Sequence, residues 1–312
     1  MIRIALSSSS PSNAAVYIAD GLGYMQKQGI QLKYFNFNSA SEIAPALMNN
    51  QVDVADVGIN PAMFNTLTAG LGTKLVVDKG SSPKGFGFTA LVVRKDLAGK
   101  IKGPADLKGI NLAMTPPGLG TANGFALSVY LAKAQLTPQD LHIQPLAFAA
   151  QPAALSNKAV DAAIMAEPFI TQVAKNGIGV RLVGLDEVVP NQQIAGLAFS
   201  SQFISQHKDL GQKFAVAYVQ AVRYYNNAFV KGINKDKVID ILASKTAVKD
   251  KQLWAEMVPA GLNPDGKLNK DSIQSAEQFF YKLGLIKSAP PLSSFVDDSF
   301  VEYADKQLGP SS

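Results

Sequence analysis

Strand-like and helix-like segments alternate from the first residues of this chain. Ile2 to Leu6 is a short apolar run typical of a strand, and apolar residues then recur every three or four positions from Ala15 to Leu22. A second strand-like run, Leu32 to Phe37, follows. Strands joined through a helix pair in parallel, and the helix covers one face of their sheet. The pattern therefore predicts an α/β fold with a parallel sheet and covering helices.

The alternation continues through the first two thirds of the chain. Strands are predicted at residues 2–6, 32–37, 53–57, 75–77, 89–93, 111–114, 143–146, 162–165, 180–183 and 195–200. A helix is predicted over 121–134, and its predicted buried stripe is Phe125, Val129, Ala132 and Leu136. From Leu210 onward the pattern is helical. We expect two doubly wound α/β units and a helical C-terminal tail, without an internal repeat.

The composition is that of a globular protein, and it excludes several kinds of chemistry. Of 312 residues, 47% are hydrophobic and 17% are charged, which is enough chain for about two domains. The sequence has no cysteine and only two histidines. Disulfides, iron–sulfur clusters, cysteine nucleophiles and zinc sites rich in cysteine or histidine are therefore excluded. We expect no metal site and no cofactor.

The formal charge of +5 raises the question of an anionic partner. Lysine and arginine are dispersed and interrupted by aspartate, as in residues 95–108 and 231–251, and few aromatic residues lie among them. This pattern is typical of a solvated surface and argues against a nucleic-acid partner. A modest positive field would still favour the approach of small anions.

Loops that join predicted strands to helices are rich in serine, asparagine and glycine. They lie at residues 7–13, 38–41, 58–61 and 116–121. A helix N-terminus offers unpaired N–H donors and suits carboxylate, sulfonate or phosphate. The predicted ligand-binding residues of these loops are Ser9, Ser10, Asn13, Ser39, Ser41, Asn60, Thr121 and Asn123. The alternative for Ser41, Asn60 and Thr121 is that each caps its own helix.

Aromatic residues and one lysine extend this candidate site. Phe86 and Phe88 could stack on a planar ligand, or they could pack inside the protein as aromatic residues usually do. Lys84 could neutralise an anion, or it could be an ordinary exposed lysine. Together with Phe169, these residues favour an aromatic or aliphatic carboxylate or sulfonate over nitrate. Few arginines lie in the loops, which argues against a doubly charged phosphate or sulfate.

The sequence lacks the motifs of the common enzyme classes. It has no nucleophile elbow, Walker loop or metal-binding helix pair. Gly118, Gly120 and Gly124 give a spacing one residue too long for the dinucleotide fingerprint. The absence of a catalytic constellation predicts a protein that is not an enzyme.

Four motifs, in order and at their spacing, resemble a known family. They are residues 13–30 (NAAVYIADGLGYMQKQGI), 46–58 (ALMNNQVDVADVG), 106–113 (DLKGINLA) and 157–169 (NKAVDAAIMAEPF). The chain resembles the substrate-binding proteins of bacterial ABC importers in the nitrate, sulfonate and taurine group, which includes thiamine-precursor binders. Asn50 stands where that family usually has glycine.

The resemblance implies a two-lobed periplasmic-binding-protein fold of type II. Residues 1–90 and 198–312 would form lobe one, and residues 91–197 lobe two. Hinge crossings would lie near Phe88 to Val93 and Ala195 to Ser200, and the lobes would close on the ligand.

The resemblance also draws attention to two polar residues. In the family, the segment of Glu167 lies at the ligand cleft, so Glu167 could contact a ligand amine or hydroxyl. The alternative is a structural role, in which the Glu167 carboxylate accepts hydrogen bonds from backbone N–H groups near a helix that starts at Pro168. Gln193, just before the second crossing, is the other candidate.

The resemblance implies a monomeric solute receptor that delivers a small organic anion to a membrane permease. The alternatives are an enzyme of the thiamine-pyrimidine type and a ligand-sensing module, both on the same fold. No run approaches the length of a transmembrane helix, and the N-terminus lacks the pattern of a signal peptide. The expected location is periplasmic, or lipid-anchored outside the cytoplasm, with the leader removed.

Overall fold

The computed structural model describes residues 1–7, 11–37, 43–67, 69, 72–246 and 248–311. The strands are β1 (Ile2–Ser7), β2 (Leu32–Phe37), β3 (Val54–Gly58), β4 (Lys74–Ser82), β5 (Thr89–Arg94), β6 (Asn111–Met114), β7 (His142–Pro145), β8 (Ala162–Ala166), β9 (Gly179–Gly184) and β10 (Gln192–Phe199). The helices are α1 (Ala14–Gly21), α2 (Tyr24–Lys27), α3 (Ile43–Met48), α4 (Pro61–Leu67), α5 (Ala122–Ala132), α6 (Gln151–Ser156), α7 (Phe169–Lys175), α8 (Leu185–Val188), α9 (Ser201–Gln206), α10 (Lys208–Lys231), α11 (Lys235–Lys245), α12 (Lys251–Glu256), α13 (Lys270–Lys282) and α14 (Ser299–Leu308). The α/β fold, the ten predicted strands and the helical C-terminal part are confirmed.

The strands form two five-stranded sheets. The first has the order β2-β1-β3-β10-β4, and the second has the order β7-β6-β8-β5-β9. β1 pairs in parallel with β2 and β3, and β6 pairs in parallel with β7 and β8. Two strands depart from the expected parallel pairing, because β10 runs antiparallel to β3 and β5 runs antiparallel to β8 and β9.

The chain divides into two compact units. Residues 1–81, 193–254 and 262–312 form the first unit, and residues 82–192 and 255–261 form the second. These boundaries differ from the predicted lobes of 1–90 with 198–312 and of 91–197. β5 is paired within the second sheet, so the residues before 91 belong with that sheet. β10 is paired with β3, so residues 193–197 belong with the first sheet.

A short C-terminal segment, residues 255–261, belongs to the second unit, which the sequence did not predict. Val258 donates its backbone N–H to Oε1 of Glu167 at 3.3 Å. Glu256 lies 2.8 Å from Nζ of Lys175 as a partly exposed ion pair. These two polar contacts attach the segment to α7 and to Glu167, which lies two residues before that helix.

Aromatic contacts connect β10 to helices within the first unit. The ring of Phe199, at the end of β10, lies 5.3 Å from Phe203, 5.7 Å from Phe214 and 5.0 Å from Phe300, all in edge-on contacts. These residues join β10 to three helices of the C-terminal part. Edge-to-face rings add specific geometry to the burial of apolar area, so the helical tail is an integral part of the unit.

The helix α5 buries a different face from the predicted one. Ala126, Leu127, Tyr130 and Leu131 pack into the core of the second unit. Of the predicted stripe, Ala132 is exposed, while Phe125, Val129 and Leu136 are only partly buried. Because this helix is apolar on several sides, its period alone permits more than one stripe, and packing against the second sheet selects one of them.

No helix in the described part of the chain is both long and apolar enough to cross a membrane.

Candidate functional site

A buried ion pair lies near the carboxyl ends of β1 and β3. Nζ of Lys79, in β4, is 2.6 Å from Oδ1 of Asp56, in β3, and the two side chains are 1% and 2% exposed. The Lys79 ammonium also donates a hydrogen bond of 2.9 Å to Oγ of Ser12. Burial lowers the pKa of Lys79, and the charge of Asp56 opposes that effect. Two charges this far from water are tolerated because each is neutralised and hydrogen-bonded.

The same pair anchors the residues on both sides of the first candidate loop. Ser7 ends β1 and donates both its hydroxyl and its backbone N–H to Oδ2 of Asp56. Ser12 receives its hydrogen bond from Lys79. Asn13 donates from Nδ2 to the carbonyl of Ser7 at 2.7 Å, and its buried Oδ1 has no partner among the described residues. Asn13 therefore combines a structural hydrogen bond with an unused acceptor.

The amide of Gln193 is engaged at both ends within the first unit. Its Nε2 donates to Oδ1 of Asp78 at 2.5 Å and to the carbonyl of Ala195 at 2.8 Å. Its Oε1 accepts from the backbone of Asn269 at 2.8 Å. With 1% exposure, the side chain connects β4, β10 and the start of α13. These partners favour a structural role for Gln193.

Asp78 is a fully buried carboxylate in the same network. Its Oδ1 also accepts from the backbone of Gly80 at 2.9 Å, and its Oδ2 accepts from the backbone of Asn263 at 2.7 Å. Burial raises its pKa to about 6, although the hydrogen bonds to the carboxylate act in the opposite direction. An aspartate in the unfolded chain titrates near 3.9.

We expect Asp78 to make stability fall as the pH rises. Its folded-state pKa of about 6 lies above the unfolded value, so the folded protein holds this proton more tightly. The resulting stabilisation is complete below pH ~4 and is lost as the pH rises through ~6. In denaturant unfolding, the stability of the wild type relative to Asp78→Asn should fall by about 2–3 kcal/mol between pH 4 and pH 7. A difference that is constant or grows with pH would contradict this expectation.

Asn60 caps the helix that follows β3. Its Oδ1 accepts a hydrogen bond of 2.8 Å from the backbone of Met63, in the first turn of α4. This is the capping alternative that the sequence left open. Asn60 also lines a small pocket together with Val57, Gly58 and Thr66. Four other predicted residues, Ser9, Ser10, Ser39 and Ser41, lie outside the described residues.

In the second unit, Thr121 caps α5. Its Oγ1 accepts from the backbone of Gly124 at 3.0 Å and donates to the carbonyl of Gly118 at 2.8 Å. The hydroxyl thus holds the glycine-rich turn onto the first turn of the helix, as the capping alternative predicted. Asn123 follows on the helix with 8% exposure, and its Oδ1 has no partner among the residues that the structure describes.

Glu167 follows β8 and is 2% exposed. Its Oε2 accepts from the backbone of Thr171, in α7, at 3.0 Å, and its Oε1 accepts from Val258. Nη2 of Arg181 lies 3.7 Å from Oε1. Burial raises the pKa of Glu167, against the effect of these hydrogen bonds and of the guanidinium. Its contacts match the structural alternative, a carboxylate that accepts backbone N–H groups at the start of a helix.

The segment before β5 carries three of the predicted residues. Lys84 is exposed, Phe86 is half-buried, and Phe88 is 3% exposed. The Phe88 backbone accepts a hydrogen bond of 2.8 Å from the backbone N–H of Glu167. The ring of Phe88 is therefore inside the unit, whereas Lys84 and Phe86 have accessible surface. Phe169 is half-buried and packs against the apolar cluster under α7.

Arg181 and Asp186 hold this segment in place. Asp186 accepts from the backbone of Gly85 at 2.8 Å, and Arg181 donates to the carbonyl of Gly87 at 2.7 Å. A Cβ atom added at Gly87 would lie 1.9 Å from Oδ1 of Asp186 and 3.2 Å from Nη1 of Arg181. A side chain at position 87 would therefore require Asp186 or Arg181 to move.

The buried charged residues of the first unit were not among the predicted site residues. Lys79 and Asp78 directly follow the apolar run Leu75 to Val77, and Asp56 interrupts the run at 53–57. A charge within a strand-like apolar run is the signal that could have identified them, because burial is costly without a partner. The partner of each charged residue depends on the order of the strands in the sheet, and the sequence does not give that order.

A search of curated proteins found no significant match to this sequence. Solved structures match it over nearly its whole length. The ligand-binding component of an ABC-type import system from Staphylococcus aureus has a TM-score of 0.77 at 18% identity, covering 97% of this chain and 98% of that one. The periplasmic aliphatic sulphonate binding protein SsuA from Escherichia coli has a TM-score of 0.76 at 19% identity, covering 95% and 92%. The desulfurization enzyme DSZB has a TM-score of 0.73 at 18% identity, covering 98% and 99%.

These likenesses confirm the two-lobed binding-protein fold that the four motifs implied. At sequence identities below 20%, structural likeness shows the fold, and the function has to be argued from the residues of the site. The family itself is identified independently from the sequence, because residues 10–243 match the NMT1-like family, and the four motifs lie within this range. This chain therefore belongs to the NMT1-like family.

Proposed function

We propose that this protein is the solute receptor of an ABC importer and that it binds a small organic anion without transforming it. The observation that carries the proposal is the full-length likeness to the ligand-binding component of an ABC-type import system. The family match over residues 10–243 supports it. In this proposal the partner is a membrane permease, and the protein acts as a monomer outside the cytoplasm. Capture of the ligand by hinge closure is a prediction that comes from the family resemblance.

The polar edges of the two sheets support an organic ligand. In the first unit, Asn13 keeps a buried acceptor oxygen beside the Lys79 ion pair. In the second unit, Lys84 and Phe86 are two residues apart in sequence, and both have accessible surface. Exposed cationic and aromatic groups suit a carboxylate or sulfonate with an apolar body. The described charged side chains of the site are mostly paired, which favours a singly charged anion.

The second candidate is an enzyme, and one observation favours it. DSZB, a desulfurization enzyme, matches this chain over 98% of its length with the same fold. An enzyme of the thiamine-pyrimidine type and a ligand-sensing module remain alternatives of the same fold. Against catalysis stands the side-chain chemistry: the sequence has no cysteine, and His142 and His207 are both exposed.

A thermal-shift screen tests the proposal. The purified protein is incubated with alkanesulfonates, aromatic carboxylates, nitrate, amino acids, pyrimidines and pyridoxal phosphate. A bound ligand at 100 times its Kd adds about 2.7 kcal/mol to the stability, which gives a rise of several degrees in Tm. We expect the hit to be a carboxylate or sulfonate that is recovered unchanged by chromatography. Stabilisation by nitrate alone would contradict the organic ligand, and conversion of the hit to product would establish the enzyme.

A further inference from the structure

The second unit contains buried acceptor oxygens that no structural contact uses. Oγ1 of Thr89, Oδ1 of Asn123 and Oε1 of Gln192 have no hydrogen-bond partner within the described ranges. Their residues are 2%, 8% and 0% exposed. A buried polar atom without a partner destabilises a protein by about 1–3 kcal/mol, so three in one region call for an explanation.

Topology places these three residues on one side of one sheet edge. Thr89 begins β5 and is paired with Ala166, the last residue of β8. Side chains alternate along a strand, and Leu91 and Val93 of β5 pack into the core that also contains α5. Thr89 therefore faces the side of the sheet that α5 covers, at the edge where β8 ends.

Asn123, on α5, and Gln192, the first residue of β10, both lie at the start of α5. Asn123 precedes Ala126 and Leu127 by three and four residues, so it lies on the face of α5 that packs against the sheet. Gln192 donates from Nε2 to the carbonyl of Ala122, the first residue of α5, at 2.7 Å. This hydrogen bond fixes the orientation of the Gln192 amide and leaves its oxygen as the free end.

We propose that Thr89, Asn123 and Gln192 form a ligand subsite that accepts hydrogen bonds from an uncharged N–H or O–H group. The ligand class is then an organic anion that also carries an amide, an aromatic amine or a hydroxyl. This inference rests on the proposed function and adds two residues to its site, Thr89 and Gln192. The amide oxygens of Asn123 and Gln192 can only accept hydrogen bonds, so they disfavour a carboxylate or sulfonate here and the anionic end binds elsewhere.

The charges around this edge favour a neutral donor over an ammonium. A buried ammonium needs a carboxylate partner. The two buried carboxylate residues of this unit are Glu167 and Asp186, and both lie near Arg181. Neutral amide and hydroxyl oxygens can satisfy a neutral donor completely, but they do not compensate a positive charge.

Calorimetric titration with matched probes tests the subsite. One pair is 4-aminobenzoate and 4-methylbenzoate, and the other is 3-hydroxypropane-1-sulfonate and butane-1-sulfonate. Members of a pair have nearly the same shape and differ in one uncharged donor. For the wild type, we expect at least one pair in which the donor-bearing member binds about tenfold more tightly.

Variants then assign the preference to these residues. Thr89→Val and Gln192→Met should each reduce the preference about three- to tenfold. Gln151→Met is the matched control: Gln151 is also fully buried, donates from Nε2 to the carbonyl of Leu146 at 3.0 Å and has an unpartnered Oε1. It lies on α6, which packs on the other face of the sheet, so its replacement should leave the preference unchanged.

Stability separates a binding role from a structural one. Thr89→Val replaces an unpartnered hydroxyl by a methyl group of the same shape, so the Tm without ligand should stay the same or rise. A preference that survives in Thr89→Val and Gln192→Met would overturn the subsite, as would equal binding of both members of each pair by the wild type. In those cases the organic-anion receptor still stands. If none of the four probes binds, the proposed organic ligand fails and the subsite fails with it.

Discussion

Replacing Lys79 by methionine should lower the free energy of unfolding by about 3–5 kcal/mol. The substitution leaves Asp56 with 2% side-chain exposure and no counter-charge. It also removes the hydrogen bond to Ser12, which lies next to the buried amide of Asn13. Breaking one side of a buried ion pair is costly because the remaining carboxylate keeps its hydrogen bonds from Ser7 but loses its counter-charge and cannot reach water.

A surface ion pair provides the control. Nζ of Lys251 lies 2.7 Å from Oδ1 of Asp240, nearly the same distance as in the buried pair, but the two side chains are 63% and 59% exposed. Lys251→Met should therefore change the stability by less than about 1 kcal/mol. Guanidinium unfolding of both variants measures the contrast. The double variant Lys79→Met with Asp56→Asn should recover part of the loss, and similar effects of the two single lysine variants would refute the argument.

Replacing Gly124 by alanine should destabilise the second unit by about 1–3 kcal/mol or more. A Cβ atom at this position would lie 2.5 Å from both Cα and the carbonyl oxygen of Leu119. These are backbone atoms of the turn that Thr121 holds in place, so a side-chain rotation cannot relieve the overlap. Helix propensity alone predicts that this substitution stabilises the protein, because alanine is favoured over glycine by about 1 kcal/mol within a helix.

Gly99 is the matched control for Gly124. It lies in the same unit, and an added Cβ atom would have no neighbour within 4 Å. Gly99→Ala should change the stability by no more than about 0.5 kcal/mol. Thermal unfolding compares the two variants, and ligand titration provides a second measurement, since Gly124→Ala should also displace Asn123 at the start of α5. If Gly124→Ala is as stable as Gly99→Ala, the turn is not as tightly packed as this argument requires.

The strands of this protein were predictable because their signal is local. Apolar runs of the right length, bounded by glycine, proline and serine, place β2 and β6 at the residues where the structure has them. Their pairing is a different matter. The antiparallel direction of β5 and β10 depends on where the chain passes from one sheet to the other, and no short window of sequence contains that information.

The candidate site was predictable only in part, for the same reason. Loop composition drew attention to Thr121 and Asn60, and the family resemblance drew attention to Glu167. The structure shows the capping and backbone contacts that were their alternatives. Thr89 and Gln192 were not predicted. Thr89 begins β5 and Gln192 begins β10, and neither has an unusual neighbour in sequence. The unused oxygen of each becomes visible only when its surroundings are known.

By itself, the sequence determined the α/β class, the positions of the strands, the family and the absence of thiol chemistry. These follow from period, composition and local motifs, which each segment carries alone. Only the tertiary structure decided which face α5 buries, where the two units divide, and which charges and oxygens are buried together. Those properties depend on desolvation, and whether water is excluded from a group is decided by residues that lie far from it in sequence.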